Sequence, residues 1–430
     1  MNYLNGQNRN FKKKLQGILA KRRLSQKNVN KVVLTIINDV KKNKDKSLLK
    51  FEKKYSKIKS QIKNIKFTNK EIQTIKKKLD KKTKKAIDLA YDRISKFHKN
   101  QKLKSFSYRD KYNNYIGYKN SPIERIGVYV PGGTASYPST VLMNCVPAII
   151  AGVKEIYMTT PCLKKKVNPA VIYAASKCKV KEIYKIGGAH AIAALAYGTN
   201  KIKKVNKIVG PGNTFVASAK KEVFGDVGID MIAGPSEVTI VADKYSNPDW
   251  VAADLIAQAE HDEFAQSILL TDSIRLIDGV KKSLNNQIKK LPKKKIISKS
   301  LKKFGYLIFL KKNTDILNAI NEIAPEHLEI CTSKPKSILK GVKNAGSIFI
   351  GKYSPEAVGD YLAGPNHILP TSGSAKFSSG LSVYDFLKRH SLIKISKSGI
   401  ERLGASVINL ANYENLQGHA NSVKMRLKGY

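Results

Sequence analysis

Cysteine is scarce in this chain of 430 residues, and its four copies, Cys145, Cys162, Cys178 and Cys331, include no pair at metal-ligand spacing. That excludes a disulfide scaffold and a cysteine-built structural zinc site, and it suggests buried thiols in a reducing compartment. Long apolar runs are missing too. The longest, Val141 to Val153, is interrupted by Asn144 and Pro147 and falls short of the roughly 20 residues that span a bilayer, so no membrane span is expected. Met1 to Gly17 runs through Asn, Gln and Lys without an apolar core or a small-residue cleavage site. It does not read as a signal peptide, and a cytoplasmic location is expected. Acids are few, 32 Asp and Glu against 79 Lys and Arg, for a formal charge of +47. A basic field of that size attracts polyanions. The excess is almost entirely Lys, however, spread along the chain instead of gathered on one face with Arg and stacking aromatics, so no specific nucleic-acid function is expected.

What the chain does contain is enough apolar residue, 42%, to bury a large interior, and at this length two α/β domains are expected. The first hundred residues read as helices, for instance Val29 to Lys41 and Asn69 to Lys99, with apolar positions at helical spacing between Lys-rich faces. From Arg125 the pattern becomes short β-branched runs ending in glycine, each followed by a helical pattern: Ile126 to Val130, Glu155 to Met158, Glu182 to Ile186 and Lys207 to Val209. That is βαβ alternation and hence a parallel sheet. A second set follows, with strands Glu237 to Ala242, Ser267 to Thr271 and Tyr306 to Leu310, and helices from about Pro248 to Glu260 and Arg275 to Lys290. The section Ser382 to Tyr430 reads as helical, without a strand ladder.

Two stretches stand out by excluding Lys. Val251 to Leu270 has four acids and no Lys or Arg, and Ala345 to Ala375 has only Lys352. Such stretches are either buried core or a site whose electrostatics forbid a stray cation, and these two contain His and carboxylates. In the first, Gln258 and His261 share one helix face at a spacing of three. That pair suits half of a metal site, or equally a hydrogen-bonded Gln and His at a helix end. In the second, Asp360 and His367 lie in a segment punctuated by glycine and proline. Glu414 and His419 stand near the end of the chain. Ligands so far apart in sequence are compatible only with a site assembled by the tertiary fold. The run Ala324 to Leu328 puts Pro325 where a helix starts, with Glu326 and His327 just after it, two proton acceptors of different basicity. Three glycine-rich strings, Gly127 to Gly133, Gly187 to His190 and Gly210 to Asn213, fall at predicted strand ends. None is a full dinucleotide fingerprint, and tight turns or close ligand approach both explain them.

Together these strings resemble histidinol dehydrogenase: Gly127-Val-Tyr-Val-Pro-Gly-Gly133, Gly210-Pro-Gly-Asn213, Ala233-Gly-Pro-Ser-Glu-Val238, Ala257-Gln-Ala-Glu-His261, Pro325-Glu-His-Leu328, Gly359-Asp-Tyr361 with Asn366-His367, and Gly418-His419. The resemblance implies two tandem Rossmann-like parallel-sheet domains, aldehyde-dehydrogenase-like, with helical extensions at both ends. It divides the chain into a helical extension over 1–25, a metal and substrate domain from 26–125 and 238–380, a dinucleotide domain over 126–237, and a helical segment over 381–430 that crosses to a homodimer partner. It implies oxidation of L-histidinol to L-histidine with two NAD through a bound aldehyde, the last step of histidine biosynthesis. One zinc per subunit is implied, held by Gln258, His261, Asp360 and His419. His327 is implied to take the hydroxyl proton and Glu326 to activate water. Ser236, His327, His367 and Glu414 join the metal ligands in contacting substrate, and Tyr129, Asn213 and His190 contact NAD. His190 departs from the family, which usually has Gln there. A zinc hydrolase would use similar residue types, and the tandem α/β halves with glycine-rich strand ends favour the dinucleotide.

Overall fold

Alternating strand and helix patterns build two parallel sheets of the same winding. The computed structural model describes residues 1–23, 29–57, 61–132, 137–162, 167–232 and 234–428; Gly133 and Ala233 of the strings above lie outside them. In chain order the strands are β1 (Asn2–Asn5), β2 (Phe106–Arg109), β3 (Tyr115–Pro122), β4 (Arg125–Tyr129), β5 (Glu155–Thr159), β6 (Glu182–Tyr184), β7 (Lys207–Val209), β8 (Gly228–Ile229), β9 (Glu237–Ala242), β10 (Gln266–Thr271), β11 (Gly305–Phe309), β12 (His327–Ile330), β13 (Ser347–Ile350) and β14 (Leu387–Lys394). One sheet has the order β6-β5-β4-β7-β8 and the other β1-β11-β10-β9-β12-β13, with every pairing parallel. In each sheet the order reverses beside its first-formed central strand, β4 or β9, the switch point at which open α/β sheets leave a crevice.

The core lies on both faces of each sheet, as parallel sheets require. Most of the stretch Val141 to Val153 lies in the helix Pro138–Ala151, whose residues 139–148 are all buried, as expected of a helix apolar on every side. Asn144 is accommodated there because its amide donates to the Thr140 carbonyl one turn back. No helix of the described residues is long and apolar enough to cross a membrane.

Four expectations need correction. The N-terminal residues are not an appendage: β1 adds to β11, and Leu15 of the helix Phe11–Arg23 is buried with Ile316 and Ile320. The helices of 26–125 cover the five-stranded sheet, not the six-stranded one. Helix Asn30–Asn43 packs on Gly188–Tyr197 and Thr214–Val223, and Lys81–Lys99 packs on Pro138–Ala151, because their apolar faces meet the crossover helices of that sheet. The helical pattern Asn69 to Lys99 breaks at Asp80, whose carboxylate caps Thr83 N–H and starts a new helix. The C-terminal section does contain a strand, β14, antiparallel to β3, which pairs with β2. It escaped notice because it is half-buried or exposed along its whole length, so no in-out alternation marks it.

Candidate active site

The reactive groups collect where β9, β12 and β13 begin. Helix Asn313–Ile323 ends on Ala324 in the left-handed region, φ +47°. The ring of Pro325 keeps its predecessor out of the right-handed helical region, so the chain turns directly into β12. Glu326 and His327 therefore enter a strand and do not start a helix, a correction to the sequence reading. Both side chains are fixed by the backbone of Glu237. Glu326 Oε2 accepts from Glu237 N–H at 2.8 Å, and His327 Nδ1 donates to the Glu237 carbonyl at 3.1 Å. A carbonyl only accepts, so the proton of the neutral ring sits on Nδ1 and the lone pair on Nε2. That Nε2 is buried with no hydrogen-bond partner. Burial, with the charges of His367 and His261, pushes the His327 pKa down to about 3, which keeps the ring neutral with Nε2 unprotonated.

Asp360 reaches this strand edge from the short helix Glu356–Tyr361, whose first N–H donates to Glu329 Oε1 at 2.7 Å. Its Oδ1 lies 3.9 Å from His327 Nε2 and 3.7 Å from His367 Nδ1. His367 Nδ1 donates to the Asp360 carbonyl at 2.9 Å, which leaves its other nitrogen free for a ligand, and burial takes its pKa down to about 4. Burial raises Asp360 to about 6, opposed by His261. Glu356 lies beside them, 3.6 Å from His327 Nδ1. Among the described residues, ligand atoms of His327, Glu356 and Asp360 lie within 4.8 Å of one another. A cleft of ≈ 270 Å³ opens over this group, polar where His327, Asp360 and His367 face it and apolar along Ile348, Phe349 and Leu369.

Gln258 and His261 come from the end of helix Pro248–Ala259, started by the Asn247 cap. Gln258 is 0% exposed, yet neither its amide oxygen nor its nitrogen has a hydrogen-bond partner. An orphaned buried amide costs about 1–3 kcal/mol per group, so it is placed for something the chain itself does not supply. His261 is exposed just past the end of that helix. Its pKa is lowered chiefly by desolvation, against the pull of Asp360 and Glu260, so its ring interacts with the same carboxylate as His327. The oxygen and nitrogen donors of Gln258, His261 and Asp360 suit a borderline cation such as zinc. Ser236 stands just before β9, and its carbonyl accepts from Gln266 N–H at 3.0 Å. Glu414 and His419 are exposed on the C-terminal helical arm, and a single chain does not bring them to the cleft.

On the other sheet, Tyr129 ends β4 and Gly210 follows β7, on either side of the switch point. Gly210 has φ +113°, and a Cβ there would stand 2.1 Å from the Tyr129 carbonyl oxygen, so only glycine fits. The Tyr129 hydroxyl accepts from Gly188 N–H. Asn213 is exposed at the start of helix Thr214–Val223, which its Oδ1 caps. The ring of His190 is buried and held to Glu52 Oε1 at 2.8 Å, and the same oxygen accepts from Gly187 N–H. A side chain so engaged braces the glycine turn.

Sequence reasoning missed Glu237, Glu329 and Glu356. The signal for Glu356 was present, since it lies in the segment Ala345 to Ala375 that excludes Lys.

The family model described as histidinol dehydrogenase matches residues 19–427. The chain is 57% identical over 427 residues to histidinol dehydrogenase of Pelagibacter ubique (strain HTCC1062), covering 99% of each. It is 47% identical to that of Agrobacterium fabrum (strain C58 / ATCC 33970), covering 97% of this chain and 96% of the relative. The crystal structure of histidinol dehydrogenase from Elizabethkingia anophelis superposes with a TM-score of 0.93 at 36% identity, covering 100% of this chain and 98% of that one. The chain belongs to the histidinol dehydrogenase family. That family catalyses the final step of histidine biosynthesis, and this chain is an NAD-dependent oxidoreductase acting on alcohol and aldehyde.

Proposed function

We propose that the chain oxidises L-histidinol to L-histidine in two NAD-linked steps, retaining the aldehyde between them. The observation that carries this reading is the pair Glu326 and His327, both fixed by the backbone of Glu237, with a lone pair of His327 aimed at the cleft. Gln258, His261 and Asp360, with His419 of a second copy, would hold one zinc. Zinc supplies an anchor for the imidazole and amine of the substrate, and NAD supplies the hydride acceptor. The chain's own residues handle protons. His327 Nε2 takes the hydroxyl proton in each oxidation. Glu326 takes a proton from the water that adds to the aldehyde carbon between them. His367 donates from its other nitrogen or accepts there, and with Ser236 and Glu414 it orients the substrate. The six-stranded body then carries metal and substrate, and the five-stranded body carries NAD against Tyr129 and Asn213.

We also infer a cytoplasmic homodimer. Its support is the arm from β14 to the last helix, which exposes Ile393 (70%), Leu410 (63%) and Tyr413 (88%) beside Glu414. A second copy laid on this arm would cover the apolar side chains. Zinc-loaded protein given L-histidinol and NAD should form two NADH per histidine, and metal removal should abolish turnover with most of the fold retained. A ratio near one, or full activity after stripping, contradicts the reading.

A further inference from the structure

Between β7 and the helix Thr214–Val223 the chain buries an ion pair that the reaction does not use. Lys220 and Asp230 pair directly, with side chains 3% and 1% exposed. Charges so enclosed are costly to desolvate, and apolar side chains of like volume often serve stability as well or better. Their placement is specific to one residue. Asp230 Oδ2 accepts from Gly210 N–H at 2.7 Å, and Lys220 Nζ donates to the Gly210 carbonyl at 3.0 Å. Asp230 Oδ1 also accepts from Met231 N–H at 2.7 Å. Both polar groups of the Gly210 peptide backbone are thus occupied by one ion pair. Gly210 is the residue whose backbone lies against Tyr129 across the switch point, and Lys220 rides on the helix that Asn213 caps.

We propose that Lys220 and Asp230 are positioning residues for NAD: they clamp Gly210 and thereby set the crevice between Tyr129 and Asn213. The clamp orients backbone and touches no reacting atom. It rests on the reading that NAD occupies this crevice. Loss of the clamp should let the turn drift while the metal and substrate side, built on the other sheet, stays as it is. The expected signature is therefore one-sided, weaker NAD binding with histidinol binding preserved.

The test uses the full-length, zinc-loaded chain. In Lys220→Met/Asp230→Leu both charges are exchanged for apolar side chains of similar shape, which leaves no buried charge unpaired but takes the partners from the Gly210 N–H, the Gly210 carbonyl and the Met231 N–H, so the midpoint of thermal unfolding should fall while the protein still folds. Calorimetric titration with NAD should give a Kd raised by about tenfold to a hundredfold, with KM for NAD raised in step and KM for histidinol unchanged. Lys220→Gln/Asp230→Asn, which keeps a donor for the Gly210 carbonyl and an acceptor for its N–H, should restore the wild-type Kd to within about threefold. If the apolar double variant does not fold, Lys220→Met/Asp230→Asn keeps an acceptor for the Gly210 N–H, removes the donor to its carbonyl without leaving a buried charge unpaired, and should still weaken NAD. An unchanged NAD Kd in a folded variant, or an equal rise in the KM of both substrates, overturns the clamp. Wild-type protein that binds no NAD would instead defeat the reading on which the clamp rests.

Discussion

A histidine with one ring nitrogen bonded to a backbone carbonyl has only the other available for chemistry, and at His327 the carbonyl of Glu237 makes that choice. His327→Asn keeps a donor toward that carbonyl and removes the free lone pair. We expect kcat to fall by about 10²–10⁴ with the unfolding midpoint and histidinol affinity little changed; a variant retaining a tenth of the activity would acquit His327 as the base. A second residue-scale expectation concerns Asp254, raised to about 6 by burial beside the protonated Glu329. Its folded pKa lies above the unfolded value of about 3.9. The unfolded chain therefore releases the proton first, and the group lowers stability as pH rises from about 4 through 6. Asp254→Asn should raise the unfolding midpoint at pH 8 and leave it unchanged at pH 4. A gain of the same size at both pH values would rule out this origin. Residue types in the site were readable because His and carboxylates stand out where Lys is excluded. Their partners were not. Glu237 matters through its backbone, which no side-chain pattern advertises, and the bond of His190 to Glu52 was hidden because Glu52 is remote in sequence.

At the scale of elements, the interior strands were legible: β7 and β9 fall on the ranges expected from their β-branched runs, since strands buried on both faces read as unbroken apolar segments. The edges were not. β14 carries Lys388, Arg389 and His390 and reads as nothing in particular. The helix after it begins at a crowded point, where Gly399 abuts Asn114 so closely that a Cβ would stand 1.9 Å from the Asn114 side-chain oxygen. That oxygen accepts from Ser396 N–H at 2.9 Å. Gly399→Ala should displace the arm from the β2–β3 hairpin. Zinc affinity, measured by competition with a chromogenic chelator, should drop if the arm delivers His419, while the two sheet bodies unfold near their wild-type midpoint. Unchanged zinc affinity would mean that the arm does not complete the metal site.

At the scale of the molecule, two bodies of like winding face each other through a loop. Asn366, next to His367, donates to the Met143 carbonyl at 2.6 Å, which ties the catalytic edge of one sheet to a helix of the other. The charge of +47 sets a condition on assembly, because two such chains repel and salt screens them. The homodimer proposed above should tighten between roughly 10 mM and 150 mM salt, as the screening length falls from about 30 to 8 Å. Sedimentation at the two salt levels measures this, and weaker association at high salt would point to an interface held by opposite charges. Leu410→Asp should yield a folded, inactive monomer by the same measurement; an active monomer would show that one chain suffices.

The six-stranded sheet gathers its candidate site where strands start, which leaves the rim where they finish apart from it. β9 is six residues long, so its far end is about 17 Å from Glu237. Tyr245, just past that end, is 73% exposed. A fluorophore or an epitope spliced beside it would ride on the enzyme at a safe remove, reporting its whereabouts while the opposite rim goes on turning over.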